Sequence, residues 1–99
     1  MLIMRKRARR RVGYRFKETY FKPRGIPLSL LGETVLSFEE LESLRLRYLN
    51  KLDQDKAAKK MNISQSQYQR DITKALEKLT DALINEKAIK VERDIANLS

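Results

Sequence analysis

Apolar residues in this chain follow two different rhythms, and the change comes at Ser37. From Ser37 onward they recur at three- and four-residue steps, the spacing of a helix with one buried face. Ser37-Phe38-Glu39-Glu40 reads as a capping box, with Ser37 as N-cap and Glu40 reaching back to it. Leu41, Leu44, Tyr48 and Leu49 then predict a helix over about residues 38–49. Asn50-Lys51-Leu52 breaks it, and Asp53 caps a shorter helix running through Met61, with Ala57, Ala58 and Met61 on its inner side. Asn62 suits a left-handed, helix-ending position. Ile63 turns inward, and Ser64 caps a third helix over residues 65–84. Its stripe is Tyr68, Ile72, Ala75, Leu76, Leu79, Ala82 and Leu83, about 30 Å from end to end.

Before Ser37 the pattern is different. Val12, Tyr14 and Phe16 alternate with Gly13 and Arg15, which predicts a half-buried strand over residues 12–16. Residues 20–27 contain Pro23, Gly25 and Pro27 and read as an irregular connector. Leu28, Leu30 and Leu31 fit a short helical turn between Pro27 and Gly32. Ile89 and Val91 alternate with Lys90 and Glu92, a short C-terminal strand expected to pair with residues 12–16. The expected fold is mainly α: a helix-turn-helix domain over residues 12–92, a flexible basic arm over 1–11, and a frayed tail over 93–99.

A chain of 99 residues makes one domain and leaves little room for a large buried active site. Hydrophobic residues at 41% and charged residues at 35% suit a small folded domain better than a disordered one. With no cysteine and no histidine, disulfides, thiol chemistry, imidazole acid–base catalysis and the common zinc and haem sites are excluded. No enzyme activity, cofactor or metal is expected. Glu39, Glu40 and Glu42 are better explained as acids facing a helix dipole than as a cation site. Met1–Met4 is too short an apolar run for a signal peptide and precedes its charges, and no run is long enough to span a bilayer, so a cytoplasmic protein without a membrane partner is expected.

Charge sharpens the picture through its placement. Of the net +9, a share of +8 falls in residues 1–17, which hold Arg5, Lys6, Arg7, Arg9, Arg10, Arg11, Arg15 and Lys17 and no acid. A concentrated cationic stretch on a nearly neutral body points to a polyanion, nucleic acid first.

The chemistry-bearing constellation is residues 53–76. Two helices joined by a tight turn, with the small Ala58 where their backbones approach, meet the requirement of a helix-turn-helix whose second helix stands clear of the body. That helix opens with Gln65, Ser66, Gln67, Gln69 and Arg70 on its polar side. Gln pairs in bidentate fashion with adenine and Arg with guanine, which makes these five the candidate base contacts. Ser64, Lys56, Lys59, Lys60 and Lys74 are candidate phosphate contacts. So are Arg5, Lys6, Arg7, Arg9, Arg10 and Arg11 of the arm, on the backbone or in an adjacent minor groove.

Two segments also resemble a known family: Tyr20-Phe21-Lys22-Pro23-Arg24-Gly25-Ile26-Pro27-Leu28, and Val35-Leu36-Ser37-Phe38-Glu39-Glu40-Leu41-Glu42-Ser43-Leu44-Arg45-Leu46. They are similar to the hallmark segments of a family of small, mostly uncharacterised prokaryotic proteins predicted to bind DNA. The resemblance covers roughly residues 10–92 and includes Ala57-Ala58, Met61, Ile63-Ser64, Arg70 and Asp81-Ala82-Leu83. In that family the helix-turn-helix is similar to region four of the primary sigma factors, and the resemblance therefore implies major-groove DNA binding. This chain departs from the pattern at Asn62, where Gly is usual, at Asp71, where an apolar residue is usual, and in its Gln65-Ser66-Gln67 helix opening. Some members carry an additional C-terminal domain, and this chain is expected to end before one begins.

The expectation is a sequence-specific double-stranded DNA binder that regulates transcription. A homodimer fits, because one module reads few base pairs and the apolar stripe beyond Leu76 exceeds what the two shorter helices cover. Two alternatives rest on other residues: an RNA-binding protein working through its Arg-rich arm, with the helix face dispensable, or an interaction module docking on RNA polymerase through the Glu-rich helix over about residues 38–49.

Overall fold

A computed structural model describes residues 10–94 of the chain. Its elements, in order, are β1 (Thr19–Phe21), a 3₁₀ turn (Leu28–Leu30), β2 (Glu33–Ser37), α1 (Phe38–Leu44), a π-helical turn (Arg45–Leu49), α2 (Gln54–Lys60), α3 (Gln65–Ile84) and β3 (Ala88–Glu92). Helices and a small mixed sheet share the fold, so it is less purely helical than the periodicity suggests.

The helix ends follow their local chemistry. Ser37 Oγ accepts the Glu40 N–H at 3.1 Å while Glu40 Oε1 accepts the Ser37 N–H at 2.9 Å, completing the capping box. Asp53 Oδ1 accepts the Lys56 N–H at 2.9 Å, and Ser64 Oγ accepts the Gln67 N–H at 3.1 Å. Asn62 lies in the left-handed region at φ 61°. Its N–H reaches the Lys59 carbonyl and the Ile63 N–H reaches Ala58, each at 3.1 Å. This paired arrangement ends α2 and reverses the chain into α3.

The sheet explains what covers the far end of α3. β3 lies in its centre, antiparallel to β1 and parallel to β2, with Thr19 opposite Val91 and Leu36 also opposite Val91. A parallel pair needs a long crossover, and here the whole helical unit supplies it. Leu36, Ala75 and Val91 form one buried cluster, edged by Phe38, Leu41, Leu44, Leu79 and Ile89. Leu46, Ala57, Ala58, Met61, Tyr68 and Ile72 form the other. Leu44 packs against both and joins them.

Three expectations need correcting. Residues 12–16 are not a strand, because helices supply their partners: the Gly13 N–H donates to Glu42 Oε2 at 2.8 Å, Tyr14 lies under Arg45, and Phe16 meets Phe38 at 5.8 Å between ring centres. The strand that pairs with β3 is Thr19–Phe21, which runs into the stretch read as connector. Residues 38–49 do not hold one continuous α-helical register either. The Asn50 N–H reaches the carbonyl of Arg45, five residues back, and this wider turn buries Leu46 while leaving Tyr48 and Leu49 exposed. The strand β2 itself went unpredicted, since Thr34 and Leu36 are its only buried positions.

Candidate functional site

The first two turns of α3 leave the protein surface on one side and pack into it on the other. Tyr68 and Ile72, together with Ala75 in the next turn, are at most 3% exposed. The Tyr68 hydroxyl donates to the Ser43 carbonyl at 2.6 Å, which locks the rotation of α3 against α1. Burial pushes the Tyr68 phenol up to about 12, with the Arg47 charge pulling the other way. With that face fixed, Gln65, Ser66, Gln69 and Arg70 are exposed and Gln67 is half-buried.

The five candidates do not stand alike. Gln65 and Ser66 are on the opening turn, where Ser66 Oγ lies 3.3 Å from the capping Ser64 Oγ. Gln69 Nε2 donates to Thr73 Oγ1 at 3.2 Å along the helix. Gln67 and Arg70 belong to a network. Gln67 Nε2 donates to Asp71 Oδ1 at 2.8 Å, and an Arg70 terminal nitrogen donates to Gln67 Oε1 at 2.9 Å.

Among the basic candidates, Lys56, Lys59 and Lys60 are exposed on α2 and Lys74 on α3. Lys59 forms only a loose, exposed pair with Asp55 at 3.4 Å. Arg10 is engaged differently: its Nε and one terminal nitrogen donate to the two Asp71 oxygens at 2.6 and 3.2 Å. Hydrogen bonding to Asp71 raises the Arg10 guanidinium above its usual value. The Arg11 N–H donates to the Met61 carbonyl at the end of α2, 2.8 Å away, and its side chain is exposed. The basic stretch is therefore rooted beside the opening of α3. Arg5, Lys6, Arg7 and Arg9 lie outside the described residues.

The helix α1 acids are recruited by the fold. Glu40 completes the cap and also accepts Lys78 Nζ at 2.9 Å. Glu42, 2% exposed, holds Arg45 through both oxygens and accepts Gly13 N–H. A side chain at Gly13 would bring its Cβ to 3.4 Å from Glu42 Oε2, so the segment passes very close to α1. Among the described residues no group of acids is arranged to hold a metal ion, and no helix is long and apolar enough to cross a membrane.

Asp71 is the site residue that sequence reasoning undervalued. Its four-residue spacing from Gln67 was legible as a helical pair. Its link to Arg10, 61 positions away, carried no local signal. Beside it opens a cleft of about 770 Å³ between α3 and the β2–α1 corner, lined in part by Arg10, Glu39, Arg70, Lys74 and Arg93.

Comparison with known proteins places these features in a family context. The chain is 53% identical over 74 residues to a UPF0251 protein of Caldanaerobacter subterraneus, covering 75% of this chain and 63% of the relative. It is 45% identical over 89 residues to a UPF0251 protein of Methanosarcina mazei, covering 90% and 54%. A UPF0251 protein of Dehalococcoides mccartyi is 47% identical over 89 residues, covering 90% and 76%. The chain thus spans between about half and three quarters of the length of these curated relatives. No solved structure matches it. Residues 1–94 match the family described as "Protein of unknown function DUF134", and the chain belongs to that family.

Proposed function

We propose that this chain binds double-stranded DNA sequence-specifically and acts in transcription control, with the first half of α3 in the major groove. One observation carries the reading. The helix is held by a buried face, Tyr68, Ile72 and Ala75, and that leaves Gln65, Ser66, Gln69 and Arg70 outward as a row of hydrogen-bonding side chains. An outward row of this kind is matched by base edges, which present donors and acceptors in the groove. The flanking Lys56, Lys59, Lys60 and Lys74 supply phosphate contacts, and the cationic N-terminus adds sequence-independent affinity. The turn between α2 and α3 then serves as a helix-turn-helix of the sigma region-four kind, the likeness noted in the sequence.

Leu83 and Ile84, both 73% exposed, and Leu76 leave an apolar edge on the other half of α3. It is the face through which two copies would pair on adjacent half-sites.

The test is a competition measured by fluorescence anisotropy, with duplex DNA and hairpin RNA as rivals for the wild-type chain and for Gln69→Ala and Arg70→Ala variants. The reading expects duplex DNA to win and both variants to lose preference among duplexes. RNA preference that survives both substitutions would transfer function to the Arg-rich segment. Weak binding to both, together with retention on RNA polymerase, would make the chain a docking module instead.

A further inference from the structure

Four side chains make a continuous hydrogen-bonded path from the basic N-terminus to the outward flank of α3. Arg10 grips Asp71 through two nitrogens at 2.6 and 3.2 Å, Asp71 Oδ1 accepts Gln67 Nε2 at 2.8 Å, and Gln67 Oε1 accepts Arg70 at 2.9 Å. The order of donors and acceptors along it is forced. An ionised carboxylate can only accept, so Asp71 turns the amide nitrogen of Gln67 toward itself. The amide oxygen is then left facing outward, where it meets a guanidinium, which can only donate. Arg10 holds Asp71 in place: the pair is bidentate, with the two side chains only 23% and 15% exposed.

We infer that Arg70 is the specificity-determining side chain of the interface, aimed at guanine, and that Arg10, Asp71 and Gln67 are positioning residues that hold it. This rests on the duplex-binding reading above and assigns roles within it. A long cationic side chain on an exposed helix face ordinarily samples many rotamers, and fixing it before binding removes that cost. A planar guanidinium held by one edge keeps donors for the O6 and N7 atoms of a guanine, the base edge that accepts two parallel hydrogen bonds. Arg10 thereby differs from the other basic residues near it. Its fork is occupied by Asp71, so it acts on base choice through Arg70 and adds little to phosphate binding.

The two roles for Arg10 give opposite results in one experiment. Duplexes selected from a random pool by the wild-type chain define the preferred bases, and the salt dependence of binding is measured on the best of them. Arg70→Ala is expected to remove preference for one guanine, a loss of roughly 5- to 150-fold against the other bases. Asp71→Asn, which keeps shape but loses charge, and Arg10→Gln are each expected to relax preference at that same position by several fold. Both should leave the slope of log affinity against log salt within about 0.3 of wild type, since no phosphate contact is lost. Arg10→Lys keeps the charge without the fork and should recover the guanine preference only in part.

A slope reduced by about 0.9 in Arg10→Gln, with base preferences unchanged, would make Arg10 a phosphate contact and overturn the relay. Guanine preference intact in Asp71→Asn would overturn it as well. Should the wild-type chain enrich no duplex at all, the duplex-binding reading falls and this inference with it, an outcome distinct from either of those.

Discussion

Replacing Tyr68 with Phe tests how α3 is held, and its effect can be worked out in both size and pH dependence. The ring is fully buried, and its hydroxyl donates to the Ser43 carbonyl at 2.6 Å. Removing that oxygen leaves the apolar packing in place and deletes one buried hydrogen bond, at a cost of about 1 kcal/mol near neutral pH. For a domain of this size that lowers Tm by roughly 4–8 °C. The pH dependence follows from the phenol, which burial raises from 10.0 to about 12. The folded state holds this proton more tightly than the unfolded state does. The resulting stability is fully present below about pH 10 and is lost as pH rises through about 12, at about 1.4 kcal/mol per pH unit.

The Phe variant has no phenol to ionise, so wild type leads by about 1 kcal/mol at pH 7, the lead closes near about pH 11, and it reverses beyond. Urea unfolding of both chains in steps from neutral to alkaline pH measures this. Lysine and arginine titrations affect both equally and cancel in the difference. A lead that stays constant across the alkaline range would refute the reasoning, because the phenol would then titrate alike in folded and unfolded chains.

Other consequences are simpler. Asn62 at φ 61° tolerates glycine, so Asn62→Gly should be neutral or stabilising by about 0.5 kcal/mol, whereas Asn62→Val should cost about 1–2 kcal/mol in urea unfolding. Arg45→Met strips the buried Glu42 of its bidentate partner and should destabilise by about 3 kcal/mol, with the segment around Gly13 becoming the first site of proteolytic cleavage. Deleting residues 1–9 removes Arg5, Lys6, Arg7 and Arg9 while keeping the docked Arg10 and Arg11. If all four contact phosphates, the salt slope of duplex binding flattens by about 3.6, and an unchanged slope would show that they do not.

The parts of the fold legible in the sequence are those fixed by neighbours. Ser37, Asp53, Ser64 and Asn62 announce their caps and turn because each acts within a few residues of itself. The 3.6-residue stripe of α3 was likewise legible down to Tyr68, Ile72 and Ala75. What misled was alternation without knowledge of partners. Val12 to Phe16 has the rhythm of a strand, yet its backbone and aromatic rings are met by α1. Tyr20 and Phe21 sit among prolines yet pair with β3, and the Tyr20 hydroxyl reaches Glu33 of β2 at 2.9 Å. At the site, the outward residues were legible from periodicity. The Arg10–Asp71 contact was not, because only the folded chain brings those positions together.

The most direct measurement follows the backbone amide and side-chain NH₂ NMR signals of the chain as duplex DNA is added. With α3 in the groove, the largest shifts are expected at residues 64–74 and along the exposed side of α2, 54–60, with β3 unmoved. Shifts confined to residues before Arg10 or to the sheet, with Gln65–Arg70 unchanged at saturating duplex, would contradict it.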